Sequence, residues 1–351
     1  MLFILFYLLC LAGFLWTDNY SFALMDMEIK LSLLVFPLVF LLSEKFDGRQ
    51  VELILKSFIT GCAAMALVCL IYALYRYLDT KYLISQGRGV YDYGVYYFLK
   101  ERLSIWMHPS YRSMYFVLAL SIIYFMKDLF SKRMLIFIIP LLITSVFLYS
   151  SKAAILSLLL LGAYMLFNII FRKRKYLQAM IGLSVSVVLL FLVYKFVPQI
   201  SERVNETIIT LTTDVDVNKS DGSTASRVAV WKASLSLIPE YWILGTGTGD
   251  VKDVLLEKYR VDGMTHALEG KLNAHSQYLQ VFVTLGLPGF LIFVSTLIFP
   301  LREAIRKKKT VYIAFLFLML FNCVFESMLE IQAGVVYYAF FNSLFMFSKE
   351  P

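Results

Sequence analysis

Apolar residues in this 351-residue chain come in long runs separated by short charged segments. About 20 mostly apolar residues are enough for a helix to cross a bilayer. Ten runs approach or reach that length, at about residues 1–17, 27–43, 53–77, 109–127, 134–150, 153–171, 177–197, 276–300, 310–329 and 332–348. The first has no basic leader and no small-x-small cleavage site, so it reads as a short first span and not as a cleaved signal peptide. Two longer polar stretches interrupt the pattern, from about Asp79 to His108 and from about Pro198 to Ala274. In the second, Asp214 to Ser226 is rich in Asp, Asn, Ser, Thr and Gly and reads as a mobile loop. Arg227 to Leu237 has helical spacing, with Val228, Trp231 and Leu235 on one side and Lys232 and Ser236 on another. Ser223, Thr224 or Ser226 is the expected cap, and a second helix is expected from Asp250 to Tyr259. The pattern predicts an all-α integral membrane protein of about ten transmembrane helices. Helices 1–7 fill residues 1–197, a large extracytoplasmic loop with short helices fills 198–275, and helices 8–10 fill 276–351.

Composition agrees. The chain is 60% hydrophobic and 17% charged, with mean hydropathy +0.72. Soluble domains are nearer half apolar and a quarter charged. The net charge of +8 is no nucleic-acid signal, because the bases cluster in short connections between apolar runs. Lys45, Arg49 and Lys56 form one such group; Lys127, Lys132 and Arg133 another; Arg172 to Lys175 a third; Arg302, Arg306 and Lys307 to Lys309 a fourth. Basic connections of this kind mark the cytoplasmic side, so both termini are expected in the cytoplasm. Cys10, Cys62, Cys69 and Cys323 all lie in apolar runs and read as small hydrophobes.

Candidate chemistry gathers where the polar loop re-enters the membrane. The segment Asn273-Ala274-His275-Ser276-Gln277-Tyr278 precedes Gly286-Leu287-Pro288-Gly289. At the start of a helix, His275 is held in its neutral form, in which it can take a proton from a hydroxyl. An interfacial histidine that only hydrogen-bonds its loop gives the same local pattern. Arg227, Lys152, Arg203 and Arg112 are candidate anion binders, since guanidinium grips phosphate oxygens in pairs and ammonium acts as a point charge. Each could instead snorkel to lipid headgroups or form an ordinary ion pair. Glu326 reads as a charge inside the ninth span, where it needs a partner. Asp214-Val215-Asp216 resembles a metal-binding acidic pair, but sits in the expected loop. Gly245-Thr246-Gly247-Thr248-Gly249 lacks the lysine and strand of a phosphate loop and reads as a tight turn into the helix at Asp250. No His/Cys/Asp/Glu grouping has metal-ligand spacing, so no metal and no cofactor are expected.

Arg227-Val228-Ala229-Val230-Trp231, then Gly245-Thr246-Gly247, then His275-Ser276 with ten residues before Gly286, then Gly289, resembles the O-antigen ligase and O-antigen polymerase superfamily. The ligase pattern is His, then Asn/Ser/Gln, nine residues, Gly, two residues, Gly. His275, Ser276, Gly286 and Gly289 match it. Ser151-Lys152-Ala153, Glu326-Ser327 and Gln332-Ala333-Gly334 add to the likeness. The resemblance implies a GT-C-like, metal-independent membrane glycosyltransferase facing the periplasm from the bacterial inner membrane. Its donor would be an undecaprenyl-diphosphate-linked glycan. Its acceptor would be lipid A-core in a ligase, or a second lipid-linked repeat unit in a polymerase. Carried over by position, His275 would be the base and Arg227 would hold the diphosphate. Lys152 falls where the family usually has arginine, a departure that keeps the charge and loses the fork. Gly286, Gly289 and Glu326 would support the site. The polymerase pattern of Arg, ten residues, Gly is absent, since Ile238 stands where that glycine would be. That favours a ligase, with polymerase as the alternative and a lipid-linked sugar transporter as the different-class one.

Overall fold

A computed structural model describes residues 2–172, 198–212 and 223–348, together with isolated positions between 176 and 195. Every regular element among the described residues is helical. The helices are α1 (Leu2–Ala12), α2 (Tyr20–Lys30), α3 (Ser32–Leu42), α4 (Gly48–Ser85), α5 (Lys100–Leu103), α6 (Pro109–Phe125), α7 (Lys132–Tyr149) and α8 (Lys152–Phe167). There follow α9 (Pro198–Thr212), α10 (Ser223–Tyr241), α11 (Val251–Val261), α12 (Thr265–Glu269), α13 (Gln277–Arg306), α14 (Thr310–Phe325) and α15 (Gln332–Phe347). Helix occurs at each of the other nine expected apolar segments, and most of 177–197 lies outside the described residues.

Helices α4, α7 and α13 are long and apolar enough to cross a membrane. Their outer surfaces are greasy: on α4, Leu67, Ile71 and Leu74 are exposed, and on α7, Ile136 and Phe137. Such faces are unfavourable in water and suited to lipid. The 38 residues of α4 span about 57 Å at 1.5 Å each. That exceeds the hydrocarbon thickness of about 30 Å. The stretch from Asp79 is therefore helix as far as Ser85, not loop from its start. Asp47 begins α4 with a reciprocal cap: its carboxylate accepts from Gln50 N at 2.8 Å, and its N–H donates to Gln50 Oε1 at 2.9 Å.

Contacts divide the chain into two compact units. One comprises Leu38–Leu160, Pro300–Asn322 and Phe340–Pro351. In it the buried stripe of α4 runs Val51, Leu55, Ile59, Cys62, Ala66, Cys69 and Ala73, three or four residues apart. That spacing sets one helix face against neighbours, here α6 and α7. The other unit comprises Met1–Pro37, Leu161–Phe299 and Cys323–Ala339. It contains the polar segment, whose described residues form four helices, α9 to α12. Ala229, Val230, Ala233 and Leu237 of α10 pack with Val251, Leu255 and Tyr259 of α11 and with Val283 of α13. The expected helix is present, but its buried face differs from the expected one, and Leu235 is exposed. Alanines one turn apart allow a closer backbone approach than Trp231 and Leu235 do. Helix α10 begins at Ser223, inside the segment expected to be loop. Its start is capped by Glu206 of α9, whose carboxylate accepts from Thr224 N at 3.1 Å. The remainder of that loop, with Asp214-Val215-Asp216, lies outside the described residues.

Candidate functional site

His275 sits two residues before α13, in a turn the local sequence builds. Asn273 Oδ1 accepts from His275 N at 3.0 Å, and Gln280 Oε1 accepts from Ala274 N at 3.1 Å. His275 itself has φ +46, a left-handed conformation uncommon for a residue with a Cβ. Three further bonds fix the turn. Trp231 Nε1 donates to His275 O at 3.1 Å. Gln277 N donates to Glu326 O at 3.2 Å, and Gln277 Oε1 accepts from Leu329 N at 2.6 Å.

The glycines of the motif break the helix behind this turn. Gly286 has φ +62 and ψ −160, a region essentially closed to other residues. A Cβ there would collide with the carbonyl oxygen of Ile243, and one on Gly289 would collide with Leu285 Cβ. The expected continuous eighth span is therefore interrupted at Gly286. The Gly245–Gly249 segment closes on the break: Thr246 N donates to Val283 O at 2.8 Å and Gly247 N to Thr284 O at 3.0 Å. Its backbone donors satisfy carbonyls that the break leaves open, so the segment acts as a structural bracket.

Glu326 joins the two basic candidates. It lies just past the end of α14, not inside a span as the apolar run suggested. Its carboxylate is 8% exposed. Oε1 accepts from Arg227 Nη2 at 2.7 Å, and Oε2 stands 3.4 Å from His275 Nδ1. That second contact is long, and Nδ1 is buried with no hydrogen bond of good geometry. Arg227 Nε also donates to Phe325 O at 3.3 Å. Burial pushes the Glu326 carboxyl up. The nearby His275 ring and the charge of Arg227 outweigh it and hold the group down to about 2. Glu326 is thus a carboxylate at neutral pH. An ionised carboxylate only accepts, so it suits a neutral imidazole with its proton on Nδ1 and Nε2 unprotonated.

The other candidates are placed differently. Lys152 is the first residue of α8, after Ser150 at φ +52, and belongs to the other unit. Arg203 is on α9, and its side chain lies outside those described. Arg112, also in the other unit, is buried and turned into the fold. It donates to Ile105 O, to Cys69 Sγ at 2.6 Å and to Tyr149 Oη at 3.5 Å. Among the described residues no three His, Cys, Asp or Glu side chains form a metal-holding group.

Two features were not anticipated. Trp231 anchors the histidine turn from one helical turn beyond Arg227, a spacing that could have suggested joint duty. A buried charge cluster lies beside Gln277: Lys30 pairs with Asp26, stands 3.4 Å from Glu330 Oε1, and Gln277 Nε2 donates to that same oxygen at 3.3 Å. Its visible signal was the i,i+4 spacing of Asp26 and Lys30 at the edge of an apolar run.

The turn carrying His275, the Arg227 side chain and the break at Gly286 thus lie within one unit. The family described as O-antigen ligase matches residues 135–294. The match supports a place for those residues in the O-antigen ligase superfamily. The ligase domain holds Lys152, Arg203, Arg227, His275, Gly286 and Gly289, whereas Arg112 and Glu326 fall outside it. The carboxylate that unites the basic residues of this O-antigen ligase domain therefore comes from chain beyond the match. Membership carries glycan transfer of the ligase or polymerase type and agrees with a membrane protein rich in apolar helices. No curated protein matches the chain.

Proposed function

We propose that the protein transfers a glycan from undecaprenyl diphosphate to an acceptor hydroxyl at the outer face of the bacterial inner membrane, as an O-antigen ligase acting on lipid A-core. The observation that carries the reading is the His275–Glu326–Arg227 cluster, two members of which lie in the stretch that matches the O-antigen ligase family. His275 Nε2 takes the acceptor proton as the hydroxyl oxygen bonds to the anomeric carbon. The carbon–oxygen bond to the diphosphate breaks, and the leaving group keeps the electron pair. Direct displacement inverts the anomeric centre. Glu326 stabilises the imidazolium as it forms, the role of the carboxylate in a Ser-His-Asp triad. Arg227 faces the charge developing on the diphosphate, and Lys152 and Arg203 supply further positive charge. No step calls for a metal or a cofactor.

A deletion strain tests the reading, with surface glycans run on a gel and carrier-linked glycans extracted alongside. Bare core lipid with long polymer on the carrier is the expected result. Single repeat units on the core without a ladder would make the protein a polymerase. Complementation with His275→Ala or Arg227→Ala, at matched membrane level, should restore nothing. Normal glycan from either variant removes the site assignment.

A further inference from the structure

Within the unit built on α4, four helix ends meet around a cavity of about 220 Å³. These are the start of α4, the end of α6, the start of α14 and the end of α15. Its inner wall is apolar, with Val51, Leu55, Phe125, Val311, Leu344 and Phe345. Its rim is not. Lys308 and Lys309 line it, with the first residues of α14. Lys308 is exposed and held at φ +58. Lys309 is half-buried, and its Nζ donates to Phe345 O at 3.1 Å. Ser348 also lines the cavity, 9% exposed, with its Oγ buried and unpartnered. The first turn of α14 adds partial positive charge from N–H groups that have no partner inside the helix. The neighbouring bases are engaged elsewhere: Arg306 and Lys307 share the Glu303 carboxylate at 2.8 and 2.9 Å. Lys308 and Lys309 therefore supply the rim charge. Next to this cavity stand the bases of three connections that the charge pattern puts on one side of the membrane, those around Arg49, Lys127 and Lys308.

We infer that this cavity binds one anionic glycerophospholipid, with its phosphodiester on Lys308, Lys309 and Ser348 and an acyl chain along the Leu55–Leu344 wall. An anion with a long apolar tail is the ligand that such a rim and wall complement together. Either half alone would suit a generic surface. Basic pockets between membrane helices recognise acidic headgroups in this way, at about fivefold in affinity per lysine. The inference stands independently of the glycan-transfer reading.

The test is native mass spectrometry of the full protein, released from micelles doped with equal phosphatidylglycerol and phosphatidylcholine. One retained phosphatidylglycerol is expected. Lys308→Ser/Lys309→Ser should lower its retention roughly thirtyfold, and Lys308→Ser alone roughly fivefold. The single variant leaves the Lys309–Phe345 bond intact, so it reads binding even if the double variant folds poorly. Arg306→Ser/Lys307→Ser should retain the lipid. Equal retention of the two lipids overturns the inference, as does full retention in Lys308→Ser. Equal loss in the Arg306/Lys307 variant would show diffuse surface attraction and overturn it as well.

Discussion

Glu326→Gln separates the two duties of the shared carboxylate. Gln keeps the shape and keeps an oxygen that can accept from Arg227 Nη2, now 2.7 Å from Oε1. It loses the charge and brings an amide N–H toward His275 Nδ1, where Oε2 now stands at 3.4 Å. That N–H makes Nδ1 an acceptor, so the ring proton moves to Nε2 and the base is lost. A forced tautomer of this kind lowers kcat by about 10² to 10⁴. Stability changes less. Holding the carboxyl at about 2 instead of 4.5 is worth about 3 kcal/mol to the folded state. Part of that survives in Gln through the Arg227 bond. The group is depressed on folding, so its contribution is whole above pH 4.5 and fades as pH falls towards 2. The assay is transfer by purified protein from lipid-linked donor, with kcat and KM measured at pH 7 and unfolding followed from pH 7 to 3. A large fall in kcat at similar KM is expected. The stability gap between the proteins should narrow as pH drops. A Gln variant within twofold of the parent in kcat would refute the orienting role.

Three other substitutions or treatments follow from the same geometry. Gly286→Ala places a Cβ against the Ile243 carbonyl at φ +62 and should destabilise the fold by about 3 kcal/mol or more, read as a lower unfolding temperature in detergent. A parental unfolding temperature would mean that the break at Gly286 is not needed. Trp231→Phe keeps a ring against Phe325 but removes the N–H that donates to His275 O at 3.1 Å. Transfer should fall about tenfold at unchanged membrane level, by the loss of one buried hydrogen bond at the base; unaltered transfer would show the bond idle. Purified enzyme should keep its rate in chelator, and loss of activity restored by a divalent ion would assign a metal role to the site.

The helical pattern was legible because the apolar runs are long and the solvent is lipid, so hydropathy alone marks helix. Helix ends were less so. Polar residues continue α4 to Ser85, since helix continues where capping and length permit, whatever the mean hydropathy. Glu326 was placed inside a span because Phe325 and Met328 flank it with apolar neighbours. A one-dimensional run cannot show that the helix stops at Phe325 and turns its next side chain to Arg227 and His275. His275 and Arg227 were visible by residue type and motif spacing. Their meeting was not, because 47 sequence positions and two further helices, α11 and α12, lie between them. Arg112 shows the opposite limit. Nothing in its surroundings marks it as a strut, yet its donors are turned to Ile105, Cys69 and Tyr149.

Charge balance explains why an arginine, a carboxylate and a histidine belong together here. With the imidazole uncharged, Arg227 and Glu326 cancel, so the resting cluster carries no net charge and each ion offsets part of the other's desolvation cost. In the proposed reaction Nε2 takes the acceptor proton, and the cluster gains one positive charge. At the same moment the diphosphate gains one negative charge as its bond to the sugar breaks. Stabilisation is thus greatest in the transition state and small in the ground state, which is the condition for raising the rate and not merely the affinity. A standing row of unpaired arginines at the same place would grip substrate, product and transition state alike, and would slow release of the spent carrier. The charge that the diphosphate already bears before reaction then falls to residues outside the cluster, the part proposed for Lys152 and Arg203.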